Sequence, residues 1–349
     1  MSHIKYILYI FISLFLFLIV SIFFLFQFIN KYLNENLNIE DNKIVINIPS
    51  GSSINEIGKT LQNKNIINNK LLFKIGLYTS KNNFSPKAGE YLINKDSSLL
   101  NIINKIHNGD VISYKITFSE GMTVKEILKK IKNDTRLIGK IPDTSPEEGS
   151  LFPETYFFNK GYSKQKLILR MKKLMDQKLN ILWENRDLNI PLSNKNDALI
   201  LASMVESETG AHAERKIISS VFFNRINSEM RLQSDPTVLY GLEMKYKLNI
   251  KSLKYSHLRL DHDWNTYTRR GLPKTAICNP SEKSLNAVFL PFKTDYFYFV
   301  ADRKGGHLFA KTFAEHKKNI LYIRKKNKYY LNNYENYEID MPLPKPKDL

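Results

Sequence analysis

Asn196-Asp197-Ala198-Leu199-Ile200-Leu201-Ala202-Ser203-Met204-Val205-Glu206-Ser207-Glu208 is the stretch from which the fold can be read. Its apolar residues cover nearly every side of a helix, so it predicts a helix enclosed by other elements. Gly210 supplies the stop. On one side, Lys164 to Trp183 carries Leu167, Ile168, Met171, Leu174, Met175 and Leu179 at helical spacing. On the other, Ile217, Ile218, Val221 and Phe222 line a third helix. Later, Asp295-Tyr296-Phe297-Tyr298-Phe299-Val300-Ala301 predicts a strand. Helices and strands segregated in this way define an α+β domain.

Upstream the chain changes character. Residues 6–29 read YILYIFISLFLFLIVSIFFLFQFI, uncharged and long enough to cross the hydrocarbon core of a bilayer. A cleavable leader has a shorter apolar core and a small-residue cleavage site; here the segment runs straight into Gln27-Phe28-Ile29-Asn30-Lys31. It reads as an uncleaved anchor, followed by a polar spacer over residues 30–42. A weak repeat comes next. Ile44-Val45-Ile46-Asn47-Ile48 alternates like a strand and leads to Ser53-Ile54-Asn55-Glu56; Tyr114-Lys115-Ile116-Thr117-Phe118 leads likewise to Thr123-Val124-Lys125-Glu126. Each second half is a capping box. Between them, Ala88 to Ile93 followed by Ser97 to Ile103 forms a third strand-then-helix unit, without the Glu. This region is either a small structural domain or a glycan-binding module of LysM type. Residues 134–148, rich in Pro, Asp, Thr and Ser, read as a linker, and the tail over residues 329–349 as disordered.

Composition narrows the chemistry. Lys and Arg number 52 against 34 Asp and Glu, a formal net charge of +18 that favours an anionic partner without choosing one. The anchor and the absence of any nucleic-acid motif argue against nucleic acid. The single cysteine, Cys278, permits no intrachain disulfide or thiolate cluster, and the seven histidines show no ligand spacing, so no metal and no cofactor are expected. The Gly305-Gly306 pair lacks the strand and helix frame of a phosphate loop.

Glu206 draws attention first. At the carboxyl end of a buried helix, desolvation and the helix dipole both favour the neutral acid, the form that protonates a glycosidic oxygen. The other reading is a solvated carboxylate on a helix end, as Glu208 would also be. Arg231 to Thr237 and Trp264 to Pro273 mix aromatics, amides and hydroxyls as sugar sites do, and as surface loops also do. Gly306-His307 with His316 could position a general base.

In these segments the chain resembles the YceG-like (MltG) family of endolytic murein transglycosylases. The resemblance is carried by Glu148 to Tyr156, by Leu201 to Thr209, by Arg231 to Gly241 (RLQSDPTVLYG), by Asn265 to Thr268 with Gly271-Leu272-Pro273, and by Ala301 to His316. The chain departs from the common pattern at Ser150, at Asp263-Trp264 and within Lys274 to Pro280. The resemblance implies that Glu206 is the catalytic acid. It also implies substrate contacts from Glu154, Gln233, Asp235, Thr237, Asn265, Tyr267, Thr268 and His316. The order would be a cytoplasmic N-terminus (1–5), a transmembrane helix (6–29), a spacer (30–42), a LysM-like region (43–133), a linker (134–148), a larger mixed α+β catalytic domain (149–328) and a tail (329–349). The activity implied is lytic cleavage of the bond between N-acetylmuramic acid and N-acetylglucosamine, leaving 1,6-anhydro ends. The protein would sit as a single-pass protein in the bacterial plasma membrane, acting on its outer side on peptidoglycan near penicillin-binding polymerases. Two alternatives stand beside this: a lysozyme-like hydrolase using Asp235 or Glu208 as a second carboxylate, and a wall-binding anchor without activity.

Overall fold

The computed structural model describes residues 2–326, apart from 38, 40, 41, 81–83, 212, 249 and 251. The tail over residues 329–349 lies outside the described residues. The chain forms two compact units, residues 1–115 with 157–162, and residues 116–156 with 163–349.

The smaller unit begins with the apolar helix α1 (Ser2–Asn34), followed by β1 (Lys43–Ile48), α2 (Ile54–Asn63), α3 (Lys70–Ser80), β2 (Gly89–Asn94) and α4 (Leu99–Asn108). β1 and β2 pair antiparallel, with Ile46 opposite Tyr91 and Ile48 opposite Gly89. Alternation puts Ile46, Ile48, Tyr91 and Ile93 into one core with Ile57, Leu61, Phe73, Leu77, Ile102 and Ile106. The Ser53 box closes as the spacing predicts: Ser53 N–H donates to Glu56 Oε2 at 2.7 Å and Glu56 N–H to Ser53 Oγ at 3.3 Å. Ser98 caps α4 through Asn101 N–H.

Residues 30–42 are not a free spacer. α1 continues to Asn34, Leu37 N–H donates to Ser97 O at 3.1 Å, and Ile29, Leu33 and Ile39 are buried in the small core. Polar composition conceals the few apolar residues that do this. From Ile4 to Phe28 the large apolar side chains of α1 are instead exposed over its whole circumference, with a mean hydropathy of 2.9 in the best window.

β3 (Ser113–Thr117) begins in the smaller unit and ends in the larger one, where α5 (Val124–Asn133) follows. The chain continues through β4 (Leu137–Ile138), then β5 (Thr155–Asn159) and β6 (Tyr162–Ser163), whose residues 157–162 belong to the smaller unit, and on into α6 (Lys164–Glu184), α7 (Lys195–Glu208) and α8 (Arg215–Asn227). It ends with α9 (Asp235–Tyr246), α10 (Tyr255–Leu258), α11 (Glu282–Phe289), β7 (Tyr298–Ala301), β8 (His307–Ala310) and α12 (Phe313–Lys326). Two short pairs, β3 with β5 and β4 with β6, accompany the antiparallel pair of β7 and β8. α5 keeps the predicted capping box, Thr123 N–H donating to Glu126 Oε2 at 2.8 Å. Its tertiary partners differ from those of α2 and α4. Gly121 N–H donates to Asn279 O, Asn279 N–H returns to Met122 O, and Val124 N–H donates to Glu148 Oε1 at 2.8 Å. Residues 116–133, which the repeat groups with the small region, therefore fold with the larger unit. A capping box specifies a helix start and carries no information about what the helix packs on.

α7 is the axis of the larger unit. Ala198 to Val205 are all buried, against Met175 and Leu179 of α6, Ile218 and Phe222 of α8, and Leu285, Val288 and Phe289 of α11. Asn194 caps it by accepting from Asp197 N–H at 2.9 Å. The one hydroxyl in the buried stretch, Ser203, donates to Ile200 O and accepts from Ile277 N–H, so it is buried at no unpaired cost. The predicted strand over residues 295–301 shortens to β7, because Asn224 Nδ2 takes the carbonyls of Thr294 and Tyr296, both at 2.8 Å.

Gly241 of α9 faces the buried ring of His262, and a Cβ there would stand 2.1 Å from His262 Cε1. Gly241→Ala should therefore cost about 1–3 kcal/mol or more through overpacking, although alanine is otherwise the better helix residue. A lowered thermal midpoint checks this; an unchanged or raised midpoint refutes it.

Candidate active site

The last turn of α7 carries two carboxylates, Glu206 and Glu208. Two positions along a helix is a rotation of about 200°, so they face opposite sides. Glu206 turns toward α8 and α11. Its Oε1 accepts from Arg215 Nη2 at 3.1 Å, and its Oε2 accepts from Ser281 N–H at 2.8 Å and from the Ser281 hydroxyl. Arg215 Nε also donates to Ser284 Oγ at 2.9 Å. The side chains of Glu206 and Arg215 are 5% and 3% exposed. Ser281 caps α11, so the carboxylate also sits at the positive end of that helix.

Burial is the largest single influence on Glu206 and pushes its acid upward. The Ser281 hydroxyl and N–H, Ser284 and the Arg215 charge together outweigh it, and the group is held below the ordinary carboxylate range. The expectation of a neutral Glu206 is thus corrected: its dipole and burial arguments omitted the cation and donors that folding brings to it.

Glu208 faces α9. Its Oε1 accepts from the Ser234 hydroxyl at 2.5 Å. Burial first, and then the nearby charge of Asp235, raise its pKa to about 7, against the opposing pull of Ser234 and Arg225. Glu208 is half-buried and is not the solvated helix-end residue that composition allows.

A rigid loop framework presents Ser234. Its N–H donates to Thr266 Oγ1 at 2.9 Å, and Gln233 N–H donates to Thr266 O at 3.1 Å. Gln233 itself is left-handed (φ 48°), a strained choice for a residue with a side chain. Thr237 is fully buried, its hydroxyl donating to Ser234 O at 2.6 Å. Asp235 opens α9 and accepts from the Tyr267 hydroxyl at 2.6 Å. Asn265 is 1% exposed; its amide donates to Leu258 O and Leu260 O, and its oxygen accepts from Tyr267 N–H.

The predicted site residues therefore separate. Gln233, Asp235 and Tyr267 gather around Glu208. Thr237 and Asn265 lie beside them, buried, with their side chains hydrogen-bonded within the loops. Thr268 donates to Asp261 at 2.9 Å. Glu154 opens toward β5, where its carboxylate accepts from Thr155 N–H. His316 reaches the cluster indirectly, stacked on Tyr298 at 5.3 Å, which in turn lies 5.4 Å under the Arg225 guanidinium. Burial, and then Arg225, lower His316 to about 4, so its ring is neutral at physiological pH. His307 pairs through Nδ1 with Glu214 Oε2 at 2.7 Å.

Sequence reasoning missed Ser234, Arg225, Arg215 and Ser281. Ser234 stands inside the RLQSDPTVLYG segment, and Arg225 is buried on the inner side of α8, donating to Phe297 O and Leu232 O at 2.7 Å each. A charge on a buried helix face was the available signal for Arg225; for Arg215 and Ser281 there was none. Thr266 also lines a cavity of 370 Å³ with Trp264, Arg269, Arg270, Pro273 and Lys274, so the Glu208 framework and this cavity share a wall. Among the described residues no cluster of His, Cys, Asp and Glu could hold a metal ion.

A helix-borne carboxyl raised to about 7, hydrogen-bonded to a hydroxyl and close to a second carboxylate, is a group able both to give and to take a proton near neutrality. The YceG-like family model matches residues 46–321, and the chain belongs to the YceG-like family. It is 34% identical over 315 residues to the endolytic murein transglycosylase of Bacillus subtilis, covering 81% of this chain and 85% of that one. The endolytic murein transglycosylase of Streptococcus pneumoniae strain R6 is 26% identical over 322 residues, covering 79% and 58%. A crystal structure of a yceG-like protein from Listeria monocytogenes is 32% identical, with a TM-score of 0.49, over 79% of this chain and 98% of that one.

A raised Glu208 makes the folded chain bind a proton that the unfolded chain has lost, in the window from the ordinary value of 4.5 to about 7. Stability should therefore fall as pH rises through that window. Glu208→Gln, which keeps a partner for Ser234, should flatten this slope; thermal midpoints at pH 5 and pH 8 test it. An identical slope in the variant would refute the raised pKa.

Proposed function

We propose that the protein is held in the plasma membrane by α1 and cuts peptidoglycan glycan strands internally as a lytic transglycosylase, with Glu208 as its acid and then its base. The observation that carries this is the Glu208 carboxyl poised near pH 7 against the Ser234 hydroxyl. The family's named relatives support the activity. The acid position implied by resemblance was Glu206. What favours Glu208 is that both Glu206 oxygens are already engaged by Arg215 and Ser281, leaving it ionised and without a proton to give.

Protonated Glu208 donates to the oxygen of the β-1,4 bond between N-acetylmuramic acid and N-acetylglucosamine. The C1–O bond breaks and positive charge develops at the muramic C1. The Glu208 carboxylate then takes the proton of the muramic 6-hydroxyl, whose oxygen closes on C1. The products are a 1,6-anhydro end and a new N-acetylglucosamine 4-hydroxyl, with Glu208 protonated again. No water enters. The nucleophile is held within the substrate, and proximity supplies much of the rate.

The small unit, with its strand–helix–helix–strand core, is assigned the LysM-like role of gripping glycan. Its place in the cell would be beside penicillin-binding polymerases, whose nascent strands it trims. A second reading is favoured by one observation: Asp235 stands close enough to raise Glu208, as the second carboxylate of a hydrolase would.

Mass spectrometry of fragments released from sacculi distinguishes the two. Anhydromuropeptides are expected; reducing ends alone would establish hydrolysis. Glu208→Gln should lose about 10²–10⁴-fold in turnover while melting no lower than the wild type at any pH, and wild-type turnover should decline above about pH 7 as Glu208 ionises. Glu206→Gln should instead melt earlier, by up to about 3–5 kcal/mol of lost stability, because the buried Arg215 loses its close anion and keeps only the more exposed Glu120 carboxylate at 3.9 Å. Full turnover in Glu208→Gln, with loss confined to a normally melting Glu206→Gln, would return the acid to Glu206.

A further inference from the structure

α3 is two-faced in a way its own unit does not explain. Phe73, Gly76 and Leu77 are buried, while Leu71, Ile75 and Tyr78 are 58%, 41% and 75% exposed. The exposed three recur at i, i+4 and i+7, a single apolar stripe along the outer side of the helix. With eleven residues α3 is far too short to span a bilayer.

Its inner side rests on the last turn of α1. A Cβ on Gly76 would lie 2.5 Å from Leu33 Cδ2, so the glycine is what lets the two helices touch. Leu33 follows Ile29, the end of the apolar segment, by four residues, or about 6 Å of helix rise. The head-group layer on each side of a bilayer is about 5–8 Å thick. With α1 spanning the membrane, α3 therefore meets it at head-group depth.

Charge agrees. Between Ile54 and Ser80 stand four lysines, Lys59, Lys64, Lys70 and Lys74, against one acid, Glu56. Lys70 and Lys74 belong to α3 itself, and their long stems can follow the apolar stripe into the layer while their ammonium groups stay at its surface. Tyrosine is at home at the same level, and basic side chains are drawn to anionic lipid. Leu71, Ile75, Tyr78, Lys70 and Lys74 together have the make-up of a helix lying in the interface plane.

We infer that α3 is an interfacial helix whose outer face dips into an acidic phospholipid bilayer, so that the small unit is seated on the membrane surface as well as tethered to it. The inference rests on the reading of α1 as a membrane span. Seating would confine the unit to glycan strands close to the membrane.

The test uses the full chain with Cys278→Ser, reconstituted in vesicles of phosphatidylglycerol and phosphatidylethanolamine. Single cysteines from Ile75→Cys or Tyr78→Cys carry a polarity-sensitive fluorophore. Phe15→Cys reports on the span, and Leu188→Cys, at a site 79% exposed, reports on solvent. Lipids spin-labelled near the head group should quench the labels at 75 and 78 several-fold more than the label at 188, and their emission should shift to the blue. Labels at 75 and 78 that stay unquenched, while a deep spin label quenches the one at 15, would overturn the inference and leave the span intact. An unquenched label at 15 would overturn both. Labels at 75 and 78 shielded from aqueous iodide yet untouched by spin-labelled lipid would mean a protein covers this face, and the inference would fail.

Discussion

A helix that is apolar on every side can be accommodated only if other helices enclose it, and that requirement on α7 organises the larger unit. α6, α8 and α11 close around Ala198 to Val205. The helix can then present polar groups only at its two ends, Lys195 to Asp197 and its final turn. Glu206 and Glu208 stand there, two residues apart and facing opposite ways. The burial of α7 thereby sets where acid–base chemistry can occur before any detail of the loops matters.

The two carboxylates share a helix end, and hence the same unfavourable dipole, so the dipole cannot be what separates them. Their neighbours do. Glu206 meets a buried guanidinium and the amino end of α11, both of which reward a negative charge. Glu208 meets a hydroxyl and a second carboxylate. Arg225 is close, but its guanidinium is committed to Phe297 O and Leu232 O, which leaves it able to moderate the Glu208 charge without pairing with it. A buried ion pair such as Glu206–Arg215 is poor evidence of added stability, since desolvation offsets much of its attraction. Its effect is geometric: it ties the ends of α7, α8 and α11 together, and so steadies the turn from which Glu208 projects.

Local structure was legible because local physics determines it. The spacing of Leu167, Ile168, Met171 and Met175 marked α6, and the all-round apolarity of residues 198–205 marked α7 as central. Both capping boxes closed as their spacing required. Tertiary identity was less legible. The repeat that groups α5 with α2 and α4 is real in each helix start, yet Asn279 draws the loop before α5 into the larger unit from far along the chain. The expectation of a neutral Glu206 failed for the same reason. Arg215 and Ser281 lie nine and seventy-five residues from Glu206, and nothing in the spacing of a single sequence announces such partners.

Asp235 bears on whether water or the substrate's own hydroxyl completes the reaction. A hydrolase needs its second carboxylate free, either to attack C1 or to strip a proton from water. Here one oxygen of Asp235 accepts from the Tyr267 hydroxyl, and that phenol is held well above its ordinary pKa, first by burial and then by Asp235 itself. The donor therefore stays protonated across the physiological range, and the capped oxygen is a weaker base and nucleophile than a free one. Asp235 still acts electrostatically, raising Glu208 so that, in the proposed mechanism, it holds a proton to give. A site with one poised acid and one capped carboxylate matches a reaction whose nucleophile arrives already attached to the sugar.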